Sequence, residues 1–224
     1  MSRYKDITYE EIKNNEEIKT YIRLSDQTLS ALGYTEHSFA HVVRTATVAH
    51  NLLEDLKYPE RDITLVSIAA YMHDIGNVVN RQDHAQTGAI LAFKILSDMN
   101  MNPTEIATII SAIGHHDEST AAPVNPIAAA LILADKSDVR RSRVRNPNQE
   151  TFDIHDRVNF AVKESSLRLT DDHKSVILKI KIDTDICPVM DYFEIFLNRM
   201  QLCKQAAHYL NIWFKLIINQ IEIL

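Results

Sequence analysis

Apolar residues recur every three or four positions through most of this chain, and little interrupts them: 224 residues contain only 4 Gly and 6 Pro. A stripe at that period lets a helix bury one side against its neighbours. With so few turn-forming residues, long helices are favoured over many short strands. The periodicity predicts helices over residues 9–32, 38–56, 62–79, 84–98, 103–115 and 127–141. In the first, Ile12, Ile18, Tyr21, Ile22, Leu29 and Leu32 form the stripe and Gly33 is the stop. In the second the stripe is Val42, Val43, Ala46, Ala49, Leu52 and Leu53, with Pro59 ending the turn that follows. Residues 62–79 are more evenly apolar, as expected of a helix in the middle of a bundle. Pro103 suits a helix start, and residues 117–126 read as a loop.

Beyond residue 146 the pattern changes. Val176, Leu178, Ile180 and Ile182 alternate with Ile177, Lys179 and Lys181, and Thr170 to His173 is a turn, so residues 166–182 read as a β-hairpin. Pro188 then opens a long helix containing Met190, Phe193, Phe196, Leu197, Met200 and Leu210. The aromatic residues Tyr192, Phe193, Phe196, Tyr209, Trp213 and Phe214 are assigned to this helix as packing groups, some of them available to a homodimer surface. The expectation is a mostly α fold: a helical bundle with a small C-terminal β-hairpin and a long closing helix. The organisation expected is an N-terminal helical segment at 1–36, a core at 37–146, and a hairpin and helix at 147–224 packed on it.

A formal net charge of −6 removes the basic footprint that long nucleic acid requires. A small anionic partner is compatible with it, because bound cations would reverse the sign locally. Cys187 and Cys203 fit no zinc or redox spacing and read as free thiols. The charged start MSRYKDITYEEIKNNEE has no apolar core, and the apolar stretch at 212–218 is short and broken by Lys215. A cytoplasmic protein with no membrane partner is expected.

The informative feature is where the histidines and aspartates lie. His73 and Asp74 follow Ala69, Ala70 and Met72 in AAYMHDIG. Burying a carboxylate there without a partner costs several kcal/mol, so it calls for a metal ion, a cation or a hydrogen-bond network. His41 in FAHVVR, His84 in HAQTGAILAF, His115 and His116 in IISAIGHH, and Asp135 in AALILADKSD sit in comparable settings. A lone histidine on a helix is usually a satisfied core residue. A set of this kind spread over several helices is not explained that way, and imidazole with carboxylate suits Zn, Fe, Mn, Co or Ni.

The order His41, His73-Asp74, Asp135 resembles the H…HD…D signature of the HD superfamily of metal-dependent phosphohydrolases. His41 and Arg44 are similar to the family's HxxR, MHDIG to its HD helix, and ADKSD to the stretch around its last aspartate. His84 with Gly88, and the pair His115-His116, resemble the two-metal members, including the HD-GYP branch. The loop after the pair reads HHDESTAAPVNP rather than GYP, and Asn77 stands where a lysine often follows HDIG in that branch. The resemblance covers about residues 38–138. It implies an HD-domain helical core with two divalent metal ions, one held by His41, His73, Asp74 and Asp135, and the second by His84, His115 and His116 with Asp74 as the bridge. Adjacent residues on a helix point about 100° apart, which lets His73 serve one ion while Asp74 bridges. His37, four residues before His41, is a further candidate ligand that reads more readily as a supporting group.

The residues around the ligands supply further candidates. Arg44 lies one turn beyond His41 and is either a phosphate clamp or an ion pair inside the bundle. Lys136 is a candidate phosphate contact, and Asp138 a candidate base or supporting partner. The run Arg140, Arg141, Arg143, Arg145 either draws an anion to the pocket mouth or is a solvated helix end. His50, His155, His173 and His208 have no supporting context. The activity implied is metal-dependent hydrolysis, by hydroxide held between the ions, of a phosphate ester or anhydride in a small phosphorylated substrate, with a nucleotide the expected class. Two other readings of the same scaffold are a di-iron oxygenase and a non-catalytic nucleotide-binding regulatory module.

Overall fold

A computed structural model describes residues 4–224. Helices α1 (Tyr9–Asn14) and α2 (Glu16–Ala31) occupy the stretch expected to be one helix. Asn15 breaks it: its backbone is extended, and its side chain accepts from the amides of Glu17 and Ile18, capping α2. Helix α3 (Phe39–Asp55) is capped by Ser38, and α4 (Glu60–Met72) follows Pro59. Helices α5 (His84–Asp98), α6 (Pro103–Gly114) and α7 (Pro126–Lys136) complete the bundle.

Helices α4 and α7 are its centre. Every residue of α7 from Ile127 to Lys136 is buried, as are Leu65 to Met72 of α4. Such helices are stable only when surrounded on all sides. Both α3 and α6 pack on the pair, and α5 packs on α6. No helix among the described residues is long and apolar enough to cross a membrane.

Two helices stop earlier than the periodicity suggests. The segment expected to be helical to residue 79 leaves the α-conformation after Met72, and Ile75–Val78 form a 3-10 turn. His73 and Asp74 therefore sit at a break rather than on a continuous helix, so the 100° offset does not set their directions. Likewise α7 ends at Lys136, and only a short 3-10 turn, Arg141–Arg143, follows.

The 3-10 turn lies against α5, and two glycines permit the approach. A Cβ at Gly76 would fall 2.0 Å from the His84 carbonyl oxygen and 2.5 Å from the Gly88 nitrogen. At Gly88 a Cβ would lie 3.2 Å from the His73 carbonyl oxygen. Backbone thus meets backbone, which brings His73 and Asp74 beside His84.

The C-terminal part departs most from expectation. An unanticipated helix, α8 (Ile154–Ala161), leads into strand β1 (Val162–Leu169), which pairs antiparallel with β2 (Ser175–Ile182) as the expected hairpin. Helix α9 (Val189–Tyr209) ends before Trp213 and Phe214. These begin strand β3 (Trp213–Ile218), which runs parallel to β2 and pairs antiparallel with β4 (Ile221–Glu222). The sheet order is β1-β2-β3-β4. Val176, Leu178, Ile180, Phe214, Leu216 and Ile218 are buried, and α9 packs on β2 and β3 as well as on α7. Alternation through Trp213 to Ile218 carries the strand signal; the turn at Asn211, with φ +58°, separates it from the helix.

Candidate metal centre

The break after α4 points His73 and Asp74 inward, towards α3, α5, the end of α6 and the last turn of α7. His41, His73, Asp74, His84, His116 and Asp135 are all buried. The orientation of each imidazole is fixed from behind. Nδ1 of His73 donates to the Ala70 carbonyl at 2.7 Å, that of His84 to Arg81 at 3.0 Å, and that of His116 to Ile113 at 2.6 Å. Carbonyl oxygens only accept, so the proton of each neutral ring lies on Nδ1 and Nε2 presents a lone pair. His41 is held in the same way by Asp138, whose Oδ2 lies 2.8 Å from Nδ1.

The lone pairs meet in two places. The Nε2 atoms of His41 and His73 are 3.3 Å apart, and so are those of His84 and His116. The two oxygens of Asp74 divide between these pairs. Oδ2 lies 3.3 Å from His73 and 3.7 Å from His41, while Oδ1 lies 3.5 Å from His84 and 3.8 Å from His116. Asp135 Oδ1 adds contacts of 3.2 Å to His41 and 3.7 Å to His73. Most of these separations are long for hydrogen bonds. Two donors each about 2.1 Å from one ion, at about 90–110°, stand roughly 3.0–3.4 Å apart, and the closer spacings here fall in that range. Facing lone pairs without a proton between them repel, and a shared cation removes the repulsion. The donor set therefore fits metal ions: His41, His73 and Asp74 form one group, Asp74, His84 and His116 another, and His73, His116 and Asp135 a third that overlaps both.

The electrostatics agree. Burial opposes charge on Asp74, but the His73 and His116 side chains hold its carboxyl well below the usual range. Burial likewise opposes charge on Asp135, and Lys136 with the histidines outweighs it. Burial pushes His84 down to about 4, which keeps its ring neutral at physiological pH and able to ligate. For His73 burial also works downward, but Asp74 and Asp135 prevail and lift it to about 10. With no cation between them, the two carboxylates draw a proton.

Not every expected site residue joins the cluster. His115 is outside all three ligating groups: it caps the end of α6, half-buried, while the turn at its carbonyl end delivers His116 alone. Arg44 does not line the cavity. Its Nε pairs with Asp138 at 3.1 Å and its Nη2 donates to the Ser165 carbonyl, tying α3 to β1. Asp138 does not line it either. Fully buried, it is taken up by His41, Arg44 and Arg140, and against the effect of burial the His41 bond and Arg143 hold its carboxyl low. Its place is behind His41, fixing the ring. Asp138→Asn is expected to weaken the first ion's affinity by about 10–100-fold, measured by titrating metal into stripped protein. An unchanged affinity would show that His41 needs no such support. Lys136 does reach the site: its Nζ lies 2.7 Å from Asp135 Oδ2. His37 is half-buried on the cavity wall, its ring 5.5 Å edge-on from that of His41.

The cluster opens into a cavity of about 270 Å³. Arg81, Glu118, Lys136, Arg143, Asp156 and Arg199 are among its lining residues, with Tyr34, His155 and Phe196. The arginine run is split: Arg141 and Arg145 are exposed, Arg140 is half-buried and Arg143 is buried. Arg140 pairs with Glu36, Arg141 donates to the Phe160 carbonyl and Arg145 pairs with Asp26, while Arg143 alone of the four lines the cavity. Arg81, Glu118, Arg199 and His155 stand in no motif and escape a reading of the sequence. Asn77 holds Asp74 directly, its Nδ2 donating to Oδ1 at 2.9 Å.

Residues 38–157 match the HD domain family. The protein named Uncharacterized protein MJ1020, from Methanocaldococcus jannaschii, is 26% identical over 170 residues, which cover 66% of this chain and 65% of that protein. The chain thus spans just under two thirds of the length of that curated relative. A crystal structure described as a predicted HD superfamily hydrolase, from an uncultured Thermotogales bacterium, aligns at 23% identity with a TM-score of 0.44. That alignment covers 55% of this chain and 67% of the other.

Proposed function

Because the chain belongs to the HD domain family, matched over residues 38–157, we propose that it is a metal-dependent phosphohydrolase of small phosphorylated molecules, nucleotides being the expected class. The observation that carries the reading is Asp74, whose two oxygens face two separate histidine pairs at the floor of a cavity lined by cations. His41, His73, Asp74 and Asp135 would hold one divalent ion, and Asp74, His84 and His116 a second. Such a pair supplies hydroxide at neutral pH and neutralises phosphate oxygens.

The remaining roles fall to the chain's own groups. Nδ1 bonds to backbone carbonyls and to Asp138 fix the ligand rings. Lys136, Arg81 and Arg143 line the space above them and attract an anion. Five carboxylates (Asp74, Glu118, Asp135, Asp153, Asp156) face four cations (Arg81, Lys136, Arg143, Arg199) around the cavity, so two divalent ions turn a formal −1 into +3. This local sign favours a phosphate even though the whole chain carries −6. A volume of about 270 Å³ is at the small end for ligand pockets, which suits one small molecule and not a polymer.

The test is elemental analysis of the purified protein, which distinguishes Fe, Mn, Zn, Co and Ni, followed by hydrolysis of a chromogenic phosphomonoester and phosphodiester with Mn added. About two ions per chain with turnover is the expected result. Two irons without turnover would move the assignment to an oxygenase, and no ion under any loading condition would overturn it.

A further inference from the structure

Part of the cavity wall lies outside the family match, on residues 32–37 and on the chain after residue 157. Helix α9 lies beyond residue 157, yet it places Phe196 and Arg199 on the cavity surface. Arg199 is four-fifths covered, and its guanidinium lies over the Phe196 ring at 4.0 Å from the centroid. Its Nε donates to Glu118 Oε1 at 2.7 Å. Among the described residues no acceptor takes the two Nη groups, and they are left to the cavity. On the other side of Glu118, Lys136 Nζ stands 3.9 Å from the same Oε1 and 2.7 Å from Asp135. The line Asp135, Lys136, Glu118, Arg199 therefore runs from the ligand cluster up the cavity wall.

A guanidinium held by its Nε and its ring face, with both Nη groups free, presents the paired donors that match two oxygens of one phosphate. We propose that Arg199 binds the phosphoryl group of the substrate, that Glu118 is the positioning residue which aims it, and that the substrate class is thereby a phosphomonoester. This inference rests on the phosphohydrolase reading and adds to it. A monoester carries three unesterified oxygens and a diester two. Of the two esters, only the monoester, like any terminal phosphoryl group, keeps enough of them to meet Arg199 and Lys136 while others face the histidine–aspartate cluster. The small cavity, and the positive balance that two divalent ions would give it, point the same way. A buried arginine serving only to tie α9 to the loop after α6 would not need its paired donors turned to open space.

The experiment compares wild type, Arg199→Lys, Glu118→Ala and Glu118→Gln, each loaded with Mn and checked for metal content and melting temperature. The probe is inorganic phosphate, whose binding is measured by calorimetry; turnover of the chromogenic monoester and diester is measured separately. Arg199→Lys keeps the charge but loses the fork, and is expected to weaken phosphate binding and raise the monoester KM by about tenfold, with metal content unchanged. The effect falls on KM more than on kcat. Glu118→Ala weakens phosphate binding in the same direction, and Glu118→Gln, whose amide oxygen still accepts from Nε, restores most of it. Phosphate binding and monoester KM equal to wild type in a folded, metal-loaded Arg199→Lys protein would overturn the inference while leaving the phosphohydrolase assignment standing. A wild type that binds phosphate through Arg199 but turns over neither ester would reverse that outcome. If Arg199→Lys does not fold, the Glu118 pair decides, since a purely structural ion pair predicts no Gln rescue of phosphate affinity independent of melting temperature.

Discussion

Asp74→Ala is expected to release both ions and to lower phosphate-ester hydrolysis by more than about a hundredfold. Its two oxygens divide between the histidine pairs, at 3.3 and 3.7 Å on one side and 3.5 and 3.8 Å on the other. Losing a mere outer partner of a ligand already costs about 10–100-fold, so removing a shared ligand costs more. The comparison that gives this result its meaning is His84→Ala. His84 contacts Asp74 Oδ1 and His116 and makes no contact with His41 or His73, so its loss should empty one position only. Elemental analysis of the two variants decides the matter. Two ions retained in Asp74→Ala would show that the carboxylate does not join two sites, and two in His84→Ala that His84 is not a ligand.

The second large effect is structural. Gly76→Ala would put a methyl group 2.0 Å from the His84 carbonyl oxygen and 2.5 Å from the Gly88 nitrogen. Both obstacles are backbone, so neither can swing away as a flexible side chain would. The turn and α5 must separate, at a cost of about 3 kcal/mol or more. For a chain of this size that lowers the melting temperature by roughly 6–12 °C. Gly88→Ala meets the His73 carbonyl at 3.2 Å and should be milder. Because the same contact brings His84 beside Asp74, the Gly76 variant should also lose affinity for the second ion. A melting temperature equal to wild type would show that the turn and α5 are not so closely apposed.

Much of this was legible before the fold was seen. Carboxylates and imidazoles inside apolar runs demand partners, and the six that meet were each marked by that conflict. The bundle followed from apolar spacing. The misses have physical reasons. Spacing counts residues along a helix but does not show where the helix yields, so the break at His73 and the end of α7 at Lys136 went unread. His115 and His116 are chemically identical in sequence, and only the turn at the end of α6 separates the ligand from its neighbour. Charge near the ligands left Arg44 open between phosphate clamp and ion pair and Asp138 between base and supporting partner; in the fold the two pair with each other. The strand at Trp213–Ile218 was hidden by the helix before it, since a short apolar run fits either state until its pairing partner is known. Arg81, Glu118 and Arg199 carry no local signal at all, because what unites them is a cavity assembled from distant segments.

That assembly bears on the order in which the protein gains its abilities during folding. All six side chains of the ion cluster lie between positions 41 and 135, on bundle helices that contact one another or on the turns that end them. Part of the wall above them comes from residues 32–35, from α8 and from α9, and α9 is pinned by a parallel strand pair that forms only after the chain has passed residue 213. Contacts close in sequence form ahead of distant ones. A nascent chain therefore acquires a cage for ions well before it acquires a chamber for anything else.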